Sequence, residues 1–313
     1  EAIGHFHDAI CLEPTSAAAL AALSSAYALA LYYKYEVGLP AYELAARSLV
    51  AADSAISLDA TVANGYSARG YIRALIGLEI DQAEADFARA EELAPNAPNG
   101  PSWSARILAG KGLVDQAFQE AGRARDLDPL QAGRRTALAS LGFQLGAYEV
   151  TIAESREAYR LEESLSLARA YEARALALTG RGEECLELEL GVYDPVRALC
   201  LHSLGRHDEA ERLAVATAGR ITSGDRGTTE YMADLFAQDL ASYYALTGNP
   251  EEALRWIRWA FDLSPSGVDE RLLGSALFEP VRSAPGFADQ VALVRTEARA
   301  RVAEMRNRMD ALL

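Results

Sequence analysis

Positive charge is what this 313-residue chain has least of: 30 Lys and Arg stand against 45 Asp and Glu, a net charge of -15. Binding nucleic acid requires clustered cations that displace counterions from phosphates, so the expected partners exclude nucleic acid. Cysteine is also scarce. Cys11, Cys185 and Cys200 are too few and too scattered for a disulfide framework, and none forms a C-x-x-C pair. They read as small buried residues of a protein in a reducing compartment, which makes the cytoplasm the expected location. Only four histidines occur. His5, His7 and Cys11 share one helical stretch, but residues two apart point to different faces, and Cys200, His202 and His207 lack the fixed spacing of a closed zinc site. No metal and no cofactor are therefore expected.

Long apolar runs are nearly absent as well. Pro14 to Tyr33 is uncharged over about 20 residues, enough to cross a bilayer, yet it includes Thr15, Ser16, Ser24 and Ser25 among its alanines, and no membrane span is expected. The chain opens at Glu1 directly on a helical pattern rather than on a signal peptide. There is no phosphate-binding glycine loop, no G-x-S-x-G elbow and no H-E-x-x-H helix. No catalytic residue is assigned, and the chain is not read as an enzyme.

What the chain does have is a period. Ala83, Phe87, Ala90 and Pro95 are followed about 34 residues later by Ala117, Ala121, Ala124 and Pro129. Small residues at these steps form a ridge on which a neighbouring helix can press closely, and the proline ends the helix. In this the chain resembles the tetratricopeptide repeat family. The resemblance implies an all-α fold, a right-handed superhelical solenoid of helix-turn-helix repeats that holds other proteins and converts nothing. The array is expected over residues 1–265, with a C-terminal capping segment and long helix over 266–313.

The anchors Ala2, Phe6, Ala9 and Pro14 make the first residues the second helix of a truncated repeat. Ile3, Phe6 and Ile10 on it would need cover from upstream, which implies a chain cut from a longer protein. Residues 34–42, with Gly38 and Pro40, read as an insertion; Ser48, Ala52 and Ala55 then resume the ridge. Thr151, Ser155 and Ala158 keep the period with altered side chains, and a polar loop spans Thr222 to Thr229. The strongest match is Leu240, Ala241, Tyr244, Gly248, Pro250, Ala253, Ile257, Ala260 and Pro265, with Trp256 and Trp259 packing beside the ridge. The segment Phe278 to Phe287 resembles the tail that closes the C-terminal repeat domains of bacterial serine/threonine kinases, adenylate cyclases and winged-helix regulators.

From the repeat register, the groove formed by the first helices should present Asn64, Ser67 and Tyr71, then Asn99, Ser102 and Arg106, then Thr136, Ser140 and Phe143. These polar and aromatic residues are the expected binding site for a peptide or protein domain. Arg106 is the only cation among them, which disfavours a clamp for a terminal carboxylate. An alternative function is a regulatory or oligomerising part of a larger bacterial signalling protein, which would leave the full-length protein free to be membrane-attached. The apolar seam Phe287, Val291, Val294, Ala298, Val302, Met305, Met309 and Leu312 can dock on the preceding repeat or pair with a second copy as a homodimer.

Overall fold

The computed structural model describes residues 2–32, 37–75, 80–190, 195–223, 233–263, 273 and 275–313. Among them there are helices and no strands. In chain order they run α1 (Ala2–Leu12), α2 (Ala17–Tyr32), α3 (Ala41–Leu58), α4 (Ala63–Leu75), α5 (Ile80–Leu93) and α6 (Asn99–Gly110). They continue as α7 (Val114–Leu127), α8 (Ala132–Gln144), α9 (Tyr148–Leu161), α10 (Ser166–Leu178), α11 (Gly182–Leu186) and α12 (Arg197–Ser203). The array closes with α13 (His207–Thr222), α14 (Ala233–Leu246) and α15 (Pro250–Leu263), followed by a single turn at Glu279–Arg282 and a C-terminal helix, Phe287–Asp310. Part of the predicted insertion, residues 34–36, and most of the predicted polar loop, residues 224–229, lie outside the described residues.

Two features set the hairpins. The first is the turn: Gly112, Gly146, Gly180, Gly205 and Gly248 all have φ between 71 and 77°, a region where a Cβ is strained. The residue after each glycine donates its N–H to the helix it has just left. Leu113 bonds Leu108 O at 2.8 Å, Ala147 bonds Gly142 O at 2.8 Å and Arg181 bonds Leu176 O at 2.9 Å. This pattern satisfies carbonyls that a helix end would otherwise leave unpaired, and it reverses the chain in few residues.

The second is the ridge. Ala83, Ala117, Thr151 and Cys185, one repeat apart, all have no measurable exposure. Gly70 on α4 lies so close to α5 that an added Cβ would stand 3.0 Å from Ala83 O and from Phe87 Cε1. In the first hairpin, serines replace the small apolar pair. Ser24 Oγ donates to Ser48 O at 2.8 Å and Ser48 Oγ donates to Ser24 O at 2.9 Å, so both buried hydroxyls are satisfied.

The chain divides into two compact units, residues 1–107 with 299–313, and residues 108–298. In unit 1, Ala45, Ala46, Leu49, Tyr71, Ile72, Ala83, Phe87 and Ile107 form one buried cluster, which also takes in Met309. In unit 2 a larger cluster extends from Phe143 and Ile152 to Trp256, Phe278, Val291 and Val294.

One expectation is corrected. Cys185 and Cys200 are buried, as read from sequence, but they are joined by a disulfide with Cα atoms 5.6 Å apart. The bond ties α11 to α12, where the hairpin helices are shortest. Ile3, Phe6 and Ile10 are half-buried. They pack with Leu23, Tyr27 and Leu44 of the helices that follow.

Candidate partner-binding face

Charged residues that could have served a ligand are mostly engaged in holding hairpins together. Arg69 and Arg73 of α4 converge on Asp86 of α5 at 2.6 Å each, and Arg69 also reaches Asp53 at 2.7 Å. The Asp86 carboxylate, through its hydrogen bonds, holds the Arg69 guanidinium above its ordinary pKa. In unit 2, Glu154 of α9 receives Arg125 and Arg135, and Glu172 of α10 receives Arg156 at 2.6 Å and Arg169 at 2.7 Å. Arg174 of α10 pairs with Asp239 of α14, both buried. These acids are buried one per interface, and each is matched by an arginine whose planar fork can satisfy it. The sequence offered no signal for them, since an isolated Asp or Glu on a helix reads as solvated surface.

The residues flagged for metal chemistry separate. The His7 Nε2 atom lies 2.8 Å from the Tyr27 hydroxyl, while Cys11 is exposed. The Cys200 sulfur is bonded to Cys185. His202 and His207 do meet, Nδ1 to Nδ1 at 3.1 Å, and burial followed by the neighbouring His207 pushes the His202 pKa down. Neither set brings together three groups able to hold an ion among the described residues.

The nine predicted groove residues divide between the units. In unit 2, Thr136 and Ser140 are buried, and their hydroxyls donate to carbonyls of their own helix: Ala132 O at 3.1 Å and Ala137 O at 2.8 Å. Phe143 is 2% exposed and packs near Tyr148 and Tyr171, ring centroids 5.8 and 6.3 Å away. In unit 1, Asn64 is exposed, and Asn99 and Ser102 are half-buried on α6. Ser67 and Tyr71, one turn apart on α4, are buried. The Arg106 backbone belongs to α6; its side chain lies outside the described residues.

Tyr71 defines the centre of this face. Its ring stacks on Trp103 of α6 with centroids 4.0 Å apart and planes 26° from parallel. The stack leaves Tyr71 buried at 3% exposure and Trp103 half-buried. Val302, Met305 and Met309 of the C-terminal helix lie against the cluster that contains both rings. Trp103 carried no signal of its own in the sequence, and the seam containing Met305 and Met309 showed that one side of the helix would be covered but not by which residues.

No protein-family model and no curated protein matches the chain. Solved structures do. The Cut9–Hcn1 hetero-tetramer of the APC/C matches at a TM-score of 0.51 and 13% identity, over 93% of this chain and 52% of that one. Yeast Tom70 matches at 0.47 and 16% identity over 93% of this chain and 61% of its own. YrrB, described as a TPR protein with an unusual peptide-binding site, matches at 0.41 and 18% identity, over 71% of this chain and 95% of its own. The chain thus spans about half of the Cut9–Hcn1 chain it matches. No helix among the described residues is long and apolar enough to cross a membrane. Glycine-closed hairpins, with Gly112, Gly146 and Gly180 spaced 34 residues apart, ridges of small buried residues and this likeness to the Cut9 assembly together make the fold a tetratricopeptide-repeat-like helical array.

Proposed function

We propose that the chain is a non-catalytic scaffold that binds a helical segment of another protein on the first-helix face of unit 1. The observation that carries this reading is that the stacked Tyr71–Trp103 pair belongs to the same apolar cluster as Met309, with Val302 and Met305 of the same amphipathic C-terminal segment packed against it. A surface that accommodates one apolar helix side is physically suited to another, since such recognition depends on anchors at helical spacing rather than on a unique sequence. Asn64, Asn99 and Ser102 would form the polar rim. A cytoplasmic location belongs to this proposal, and the Cys185 and Cys200 sulfurs would then be thiols while the protein works there.

The alternative reading, an oligomerising part of a larger signalling protein, needs the C-terminal seam free. Val291, Val294 and Ala298 are buried within the single chain, so a homodimer through that part of the helix would have to displace these contacts. The scaffold reading requires no such rearrangement in unit 2. Peptides selected on the full chain from a displayed library test it. Their affinity should fall at least tenfold in Ser102→Arg, which blocks the rim, and stay unchanged in Glu92→Ala, on the exposed side of α5. Unchanged affinity in Ser102→Arg would count against this face.

A further inference from the structure

The apolar cluster beneath the proposed face takes in side chains from the chain's own C-terminal helix. Val302, Met305 and Met309 recur at steps of three and four, so they line one side of the C-terminal helix. In unit 1 Met309, at 5% exposure, belongs to the buried cluster that includes Tyr71, Ile72, Phe87 and Ile107, and Val302 and Met305 pack against that cluster, as Trp103 does. The remaining sides of this segment are charged. Arg299, Arg301, Arg306 and Arg308 outnumber Glu304 and Asp310, a local positive excess in a chain of net charge -15.

We propose that Arg299–Leu313 is a resident stand-in for the ligand of unit 1. The face takes a basic amphipathic helix from a partner protein, with Val- or Met-like side chains at i, i+3 and i+7, and the chain's own segment must leave before that helix enters. The idea rests on the scaffold reading above and adds the chemistry of the partner and the order of events.

Three properties of the segment suit this role. Val302 and Met305 are only half-buried and Leu312 and Leu313 are exposed, so few side chains hold it. Methionine packs by bending rather than by fixed shape, which suits a contact that forms and releases. Being tethered, the segment competes at an effective concentration on the order of millimolar. An incoming helix then binds with an apparent affinity reduced by the fraction of time the face is vacant.

The test uses a fluorescein-labelled synthetic peptide with the sequence of residues 299–313 as probe. It is titrated into the full chain and into the full-length double variant Met305→Asp/Met309→Asp, which releases the resident segment. The released variant should bind the peptide at least tenfold more tightly than the unaltered chain, and Met305→Leu/Met309→Leu should behave like the unaltered chain. Binding should weaken at high salt, as expected for a basic helix on an acidic protein. If the aspartate pair fails to fold by circular dichroism, Met305→Ala/Met309→Ala takes its place with the same readouts. Equal binding to released and unaltered chains, still lost in Ser102→Arg, overturns the self-occupation and leaves the scaffold face standing. Binding to neither, with the variant folded, overturns both.

Discussion

Asp239 sits in the environment least suited to its chemistry. Its side chain is fully buried, one oxygen faces Arg174, and the other, Oδ2, has no hydrogen-bond partner among the described residues. Burial pushes its pKa up, against the pull of Arg174. Removing the arginine leaves an uncompensated buried charge, so Arg174→Met should cost about 3–5 kcal/mol in denaturant unfolding, and adding Asp239→Leu should recover most of that loss. The pH dependence follows from the sign of the shift. A carboxyl whose folded pKa exceeds its unfolded value gains protons on folding. Its stabilising contribution is therefore complete below the unfolded pKa, about 4, and is lost as pH rises through the folded one. The deficit of Arg174→Met relative to the unaltered chain should accordingly shrink between pH 7 and pH 4. A deficit that is constant over that range would show that Asp239 is not the group left stranded.

Hairpins are where sequence and structure agree best, and the reason is local. A ridge residue and a turn glycine each need one side chain of the right size at one position, so Ala83, Ala117 and Thr151 could be aligned by counting, and Gly112 and Gly248 by inspection. Features that depend on two elements at once were illegible. Arg69 meeting Asp86, Ser24 exchanging hydrogen bonds with Ser48, and Cys185 bonding Cys200 each require knowing how neighbouring helices pack. Cys185 also occupies a ridge position, which made its role look complete as a small buried residue. The bond matters because α11 has five residues and α12 has seven, too little helix to bury much surface. Closing a separation of 15 residues restricts the unfolded chain enough to contribute about 3 kcal/mol. Reduction, or Cys185→Ala/Cys200→Ala, should lower the unfolding free energy by roughly that amount, read from urea transitions with and without reductant. Coincident transitions would mean that the pair packs as thiols and holds nothing together.

At the scale of the whole molecule, the sequence pattern describes neighbours in the chain, while unit 1 is completed by residues from its far end. Residues 1–107 and 299–313 belong to one compact unit, and Met309 lies in the same cluster as Ala28, Tyr71 and Phe87. A seam of apolar residues in a terminal helix shows which side of it will be covered but not by what, because any apolar surface satisfies it equally. The same ambiguity affected the proposed face: its register residues were countable, whereas the packing of Met309 into the cluster beneath it was not. Hydrogen exchange resolves the point by location. Met309→Ala removes most of a buried side chain and should cost on the order of 2–5 kcal/mol of local stability. If the segment completes unit 1, the lost protection falls in α2 to α6, some 200 residues or more away in sequence, and α9 to α15 keep theirs, since native openings follow cooperative structural units rather than chain proximity. Loss confined to residues 287–313, with α4 and α6 unaffected, would place the end of the helix elsewhere and remove the physical basis for a face that the chain itself occupies.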